Sequence, residues 1–216
     1  MRTRVKFCGI TRNEDAHAAV AAGADAIGLV FYQPSSRALD VTEATAVLAG
    51  LPPFVTVTAL FVDAEAAEVE AVCTTLPIDL LQFHGNEPED YCNSFGKPYI
   101  KALRIGGDRS PLEDSLAAWT SARAILLDTW QSGTPGGTGK TFDWSLAPSS
   151  SPRPIVLAGG LTLDNVEMAL RQVAPYAVDV SGGVEDSPGC KSAAKMRRFV
   201  QAVRRADAAN EARDHE

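Results

Sequence analysis

Two residues far apart in this chain have side chains able to move protons, a cysteine at position 8 and an aspartate at position 128. Each closes a short apolar run, Val5-Lys6-Phe7-Cys8 and Ala124-Ile125-Leu126-Leu127-Asp128, and Gly9 follows the first. A thiol and a carboxyl on opposite sides of one ligand suit proton abstraction by one and donation by the other. Abstraction requires the thiolate, and an ordinary cysteine, with a pKa of about 8.5, is only about 3% ionised at neutral pH. A cation turned inward beside it, Lys6 or His84, would help. Donation asks the reverse of the carboxyl: burial, or a small protonated fraction, must supply a proton that ordinary aspartates have lost at pH 7. Arg37 adds a planar fork suited to a carboxylate. Gln82 and His84 add polar groups suited to ligand hydroxyls, and Asp179 stands at the end of another apolar run, before the second glycine doublet. The runs Gly159-Gly160 and Ser181-Gly182-Gly183 let backbone N–H groups come close to an anion, and a helix start just beyond each adds partial positive charge. Taken singly, each residue has an ordinary reading: Cys8 as a small buried hydrophobe, Asp128 as a cap or loop ion pair, Arg37 as a surface charge, His84 as a strand cap.

What must position these residues is an alternation of strands and helices. Apolar runs place strands at Val5–Cys8, Ala26–Phe31, Thr56–Val62, Asp79–Phe83, Tyr99–Leu103, Ala124–Asp128, Ile155–Ala158 and Ala177–Val180. Helices are expected over Asn13–Ala22 (begun by the capping signal Thr-Arg-Asn-Glu-Asp), from Thr42 to near Gly50, and over Ala64–Leu76 and Pro88–Phe95. Others are expected around Leu112–Thr120, opening at Phe142-Asp143-Trp144, over Asp164–Val173, and from about Gly189 to Ala206. The strands show little polar alternation, as a parallel sheet buried on both faces requires. Eight such units in 216 residues fit a single closed (β/α)8 TIM barrel of the α/β class, which takes about 200 to 250 residues. An open doubly wound sheet is the alternative. A barrel gathers every strand's carboxyl end at one mouth, and the polar residues named above sit at those ends. Residues 1–206 are therefore read as one barrel domain and the polar 207–216 as a frayed tail. Gln131–Lys140, with four glycines, reads as a loop over the mouth; its glycine–lysine spacing is wrong for a nucleotide-binding loop.

The formal net charge of −7 repels polyanions, and the basic stretch Lys195–Arg205 has apolar residues at helical spacing, as the solvated face of a terminal helix would. The four cysteines are widely spaced, with no Cys-x-x-Cys, which argues against a disulfide framework or metal site. No apolar run approaches the roughly 20 residues that cross a bilayer, and the charged start enters a strand at once. The expected setting is a reducing cytoplasm. The expected partner is a small molecule, with no nucleic acid, no membrane and no cofactor, in a monomer or homodimer.

Several runs, in order, resemble the phosphoribosylanthranilate isomerase family of tryptophan biosynthesis. They are Lys6-Phe7-Cys8-Gly9-Ile10-Thr11, Gly28-Leu29-Val30-Phe31 with Ser35-Ser36-Arg37, Leu81-Gln82-Phe83-His84-Gly85, Leu127-Asp128, Gly137-Thr138-Gly139-Lys140-Thr141-Phe142-Asp143-Trp144, Leu157-Ala158-Gly159-Gly160-Leu161 and Asp179-Val180-Ser181-Gly182-Gly183-Val184-Glu185. The resemblance implies a metal-free, cofactor-free Amadori rearrangement of N-(5-phosphoribosyl)anthranilate. It gives Asp128 the role of general acid and Cys8 that of general base. It gives the anthranilate carboxylate to Arg37 and the phosphate to the loops at 159–160 and 182–183. Ser36 stands where the family usually has proline, which loosens the Arg37 loop, and Gly182 where a second serine is common. The rival readings are a histidine-pathway or dual-substrate aminoaldose isomerase, which typically uses two aspartates, and a non-catalytic phosphoribosyl-ligand binder, which needs neither Cys8 nor Asp128.

Overall fold

The computed structural model describes residues 2–105, 116–129, 144–148 and 150–213. Eight strands, β1 (Arg4–Cys8), β2 (Ala26–Phe31), β3 (Thr56–Phe61), β4 (Leu80–Phe83), β5 (Tyr99–Ile105), β6 (Ala124–Thr129), β7 (Ile155–Leu157) and β8 (Ala177–Val180), close into a barrel in chain order. β8 pairs with β1 and every neighbouring pair is parallel, which removes the open-sheet alternative. The helices whose bounds fall within the described residues are α1 (Asn13–Ala22), α2 (Val41–Leu48), α3 (Ala66–Thr75), α4 (Glu89–Asn93), α5 (Val166–Val173) and α6 (Ala193–Arg213).

The two-residue period of a strand decides which side chains reach the lumen. Phe7, Phe31, Phe61, Phe83 and Tyr99 turn outward into the main core beneath the helices. Phe31, Phe61 and Phe83 stand in register on β2, β3 and β4, with ring centroids 5.5 and 6.3 Å apart. Such aromatic contacts add about 0.5–1.5 kcal/mol each beyond the area they bury. With Phe7, Phe83, Leu127 and Val178 outward, their neighbours Lys6, Cys8, Gln82, His84, Asp128 and Asp179 point inward. Ile100, Ala102, Leu126 and Val156 fill the lumen beneath them.

Local signals set some element ends. Gly23, at φ +99°, closes α1. Asp40 and Glu43 form a reciprocal capping box that starts α2 at Val41, one residue before the expected Thr42. The capping signal read before α1 is not used: Arg12 is its N-cap, with no side-chain cap bond. Asn13 instead donates to the carbonyls of Val47 and Ala49 at 2.9 and 2.8 Å, tying α1 to the end of α2.

Two differences from expectation follow β8. A 3-10 turn, Gly182–Val184, and an antiparallel hairpin of β9 (Glu185–Ser187) and β10 (Cys190–Lys191) precede the last helix, so α6 begins at Ala193 and not near Gly189. Gly189, at φ +79°, makes the turn between the two short strands. α6 also runs past Ala206 to Arg213, through residues expected to fray. Asp207 accepts from the Thr3 amide and hydroxyl at 2.8 and 2.6 Å, anchoring that extension to the start of the chain. Of the helix expected around 112–120, residues 116–118 are helical; 106–115 lie outside the described residues. Trp144–Leu146 is one 3-10 turn; Phe142, Asp143 and the loop 131–140 also lie outside. Among the described residues no helix is long and apolar enough to cross a membrane.

Candidate active site

A cavity of about 570 Å³ opens at the carboxyl ends of the strands. Cys8, Arg37, Gln82, His84 and Asp128 line its sides, and Gly159, Gly160, Asp179, Ser181, Gly182 and Gly183 line it beside β7 and β8. The barrel therefore brings together every residue singled out from the sequence. Val30, Tyr32, Leu60 and Val62 form an apolar wall on the β2–β3 side.

Cys8 is buried, and Lys6, two residues earlier on the same face, points inward beside it. Lys6 Nζ donates to Asp179 Oδ1 at 3.0 Å, and its charge acts on the Cys8 sulfur. Gly28 pairs with Cys8 across the β1–β2 ladder. A Cβ there would stand 3.0 Å from both Cys8 Sγ and Lys6 Nζ, so glycine is what leaves room for the pair. Burial pushes the Cys8 thiol above its ordinary range and Asp179 adds to the rise, while Lys6 and Lys191 oppose it. The inward cation expected from the sequence is present, yet desolvation outweighs it. Burial also pulls the Lys6 ammonium down, but Asp179 and Cys8 more than offset that and hold it above the usual lysine range.

His84, the other cation considered for Cys8, sits with the carboxylate instead. The Gln82 side-chain nitrogen donates to His84 Nδ1 at 3.0 Å, and His84 Nε2 lies 3.0 Å from Asp128 Oδ2. With Nδ1 accepting, a neutral imidazole carries its hydrogen on Nε2 and donates it to Asp128. Asp128 and His84 are both buried, and the chain from Gln82 through His84 holds one oxygen of the carboxyl. Gln82 Oε1 is buried and has no hydrogen-bond partner among the described residues.

Arg37 does not extend freely into the cavity. Its guanidinium pairs side-on with Glu185, Nε to Oε1 at 2.7 Å and Nη2 to Oε2 at 2.6 Å. The hydrogen bonds to Glu185 hold the Arg37 guanidinium above its ordinary range. Burial alone would raise the Glu185 carboxyl; Arg37 and Lys191 outweigh it and hold the carboxyl below the usual range. Lys191 is buried and shifted down by that burial, against the pull of Glu185. The Arg37 loop is braced by the Arg37 amide donating to Ser35 Oγ at 3.1 Å.

Glu185 and Lys191 were not singled out from the sequence. Glu185 follows the second glycine run, and a Pro188-Gly189 turn signal precedes Lys191, but nothing local marks either as a partner of residue 37.

The two glycine-rich turns lie side by side past the ends of β7 and β8, beyond the last ladder pairing. Gly159 and Gly160 sit at φ +80° and +66°. The Asn165 side chain fixes their loop, donating to the Gly160 carbonyl and accepting from the Thr162 amide at 2.9 and 2.8 Å. Gly183 packs against the Leu161 carbonyl so closely that a Cβ would strike it. Amides held this way suit an anion. Among the described residues no cluster of three metal-ligating side chains occurs.

Fold and cavity together define a (β/α)8 barrel whose carboxyl-end cavity gathers a thiol, a carboxyl and two glycine-rich turns. A sequence model of N-(5'-phosphoribosyl)anthranilate (PRA) isomerase matches residues 5–202, and the chain belongs to that family of isomerases. A relative named N-(5'-phosphoribosyl)anthranilate isomerase, from Pseudomonas fluorescens SBW25, is 56% identical over 207 residues, covering 95% of this chain and 98% of its own. The crystal structure of phosphoribosyl anthranilate isomerase from Thermotoga maritima superposes with a TM-score of 0.85 at 39% identity, covering 94% of this chain and 98% of that one. A further structure of such an enzyme, in complex with reduced 1-(o-carboxyphenylamino)-1-deoxyribulose 5-phosphate, superposes with a TM-score of 0.81 at 37% identity, over 94% and 98% of the two chains.

Proposed function

We propose that Cys8 and Asp128 carry out the isomerisation of N-(5-phosphoribosyl)anthranilate to 1-(2-carboxyphenylamino)-1-deoxyribulose 5-phosphate. Asp128, as the carboxylic acid, protonates the furanose ring oxygen. The C1′–O4′ bond breaks, and the nitrogen lone pair forms the C1′=N iminium. Cys8, as thiolate, takes the C2′ hydrogen as a proton; the electron pair left behind closes C1′=C2′, and the C=N pair returns to nitrogen. The enolamine then loses its O2′ proton and gains one at C1′, leaving a ketone at C2′. Atoms and electrons balance within the substrate, so the steps call on no external electron acceptor.

The observation that carries this reading is the shared cavity: a buried thiol from β1 and a buried carboxyl from β6 line the same space. The rest of the lining fits the same ligand. The apolar wall suits the aromatic ring, Arg37 its carboxylate, and the turns at 159–160 and 182–183 the phosphate. Asp179 and Ser181 face the sugar from the end of β8, and Gln82 holds the His84 tautomer that orients Asp128. Loss of the anthranilate adduct's fluorescence tests the activity directly. In that assay Asp128→Asn is expected to lower kcat by at least about 10²-fold with little change in KM. Near-normal turnover in this variant removes Asp128 from the acid role.

A further inference from the structure

The side-on edge of Arg37, Nε and Nη2, is already filled by Glu185 at 2.7 and 2.6 Å. Its side chain reaches that position by crossing the end of β1, where a Cβ on Gly9 would collide with Arg37 Cδ. Glu185 is itself held from elsewhere. Buried Lys191 donates to Glu185 Oε1 at 2.7 Å and to the Ser181 carbonyl and hydroxyl at 3.3 and 3.2 Å. Lys195 donates to the Glu185 carbonyl at 2.7 Å, and the Lys191 amide donates to Asp15 at 3.0 Å. The fork is thus locked by a hairpin that is pinned to α1 and α6.

Charge decides what this lock is good for. An arginine paired with a glutamate alone is formally neutral and has little pull on an anion. With Lys191 on the same carboxylate, the three groups carry a formal charge of +1. The guanidinium keeps its end-on edge, Nη1 with the second hydrogen of Nη2, for one more planar acceptor.

We infer that Glu185 is a positioning residue that holds Arg37 side-on, so that a ligand carboxylate is taken by the end-on edge, and that it thereby sets the preference for a carboxylated over an uncarboxylated aromatic amine. This rests on the reading of Arg37 given above. Glu185 touches no ligand; it acts through the direction of the fork.

The test is calorimetric titration of reduced 1-(o-carboxyphenylamino)-1-deoxyribulose 5-phosphate and of its counterpart lacking the ring carboxylate. Both go into the wild type, Glu185→Gln, Arg37→Lys and the double variant. Glu185→Gln leaves one acceptor oxygen for two nitrogens and frees the fork to turn, so despite the added positive charge it is expected to weaken the carboxylated ligand at least about tenfold and the other by less than about threefold. In the Arg37→Lys background the same change is expected to have no ligand-specific effect. Equal loss for both ligands, or unchanged affinity for the carboxylated one, overturns the inference. Should Glu185→Gln fail to fold by circular dichroism, Glu185→Asp, too short to meet both nitrogens, makes the same comparison with the same outcomes. A wild type that binds neither ligand removes the isomerase reading and this inference together; a ligand-independent loss removes this inference alone.

Discussion

Replacing Lys6 with glutamine removes a buried positive charge from beside Cys8 while leaving an N–H donor for Asp179. The ammonium lies 3.0 Å from Asp179 Oδ1, and its charge favours the thiolate at Cys8. A unit charge about 4 Å from a thiolate is worth about 4 kcal/mol at an effective dielectric of about 20. Asp179, on the same nitrogen, opposes that field, so removing the ammonium costs the thiolate a net stabilisation of about 1.5–3 kcal/mol and raises the Cys8 thiol further. The sign follows from the base role. Burial already holds the thiol above its ordinary range, and only the thiolate abstracts a proton, so turnover climbs with pH. In Lys6→Gln the climb moves to higher pH, and at one pH on the rising limb the loss is about 10- to 100-fold. The assay is the pH dependence of Cys8 alkylation by iodoacetamide, read by mass spectrometry with half-buried Cys73 and Cys190 as references, alongside the pH profile of kcat/KM. Superimposable alkylation curves for the two proteins would refute the reasoning, because the thiol would then be indifferent to the charge beside it.

Three further outcomes are expected. Gln82→Leu strips the donor from buried His84 Nδ1, which costs about 1–3 kcal/mol and lowers the thermal midpoint by several degrees in scanning calorimetry; an unchanged midpoint contradicts the assigned chain of hydrogen bonds. Gly183→Ala drives a Cβ into the Leu161 carbonyl, backbone that cannot step aside, and is expected to weaken inorganic phosphate at least about tenfold, whereas Gly182→Ser, whose Cβ meets Arg37 Nη2 at 3.6 Å, keeps wild-type affinity. Because the Glu185 carboxyl is held below its usual range, its contribution to stability is present above the ordinary glutamate value of about 4.3 and is lost as pH falls through the lower folded-state value. Thermal melts of the wild type should therefore drop more steeply at acid pH than those of Glu185→Gln, and parallel curves would show that the depression is not coupled to folding.

Much of this fold was legible because strand chemistry is local. The runs Ala26–Phe31 and Ala177–Val180 form strands over the expected residues, each bounded by polar residues, and the outward Phe7 tells that Lys6 and Cys8 face the lumen. Lys6, a charge inside an apolar run, was itself a sign of a buried partner. The pairing of Arg37 with Glu185 was not legible: the two are 148 positions apart, and an arginine in a polar loop looks the same whether its fork is free or filled. The β9–β10 hairpin escaped for another reason, since strands of three and two residues are too short to show a period of two. The end of the last helix is hidden for a third reason: a polar terminal run looks like fraying, while its alanines favour helix and Asp207 supplies an anchor that no local pattern reveals.

Turnover of substrate carrying deuterium at C2′, compared between the wild type and Cys8→Ser, tests the base most directly. If the sulfur takes that hydrogen, the wild type shows a primary isotope effect and the serine variant falls by at least about 10²-fold. A serine variant that keeps both the wild-type rate and the same isotope effect would mean that the hydrogen leaves to some other group.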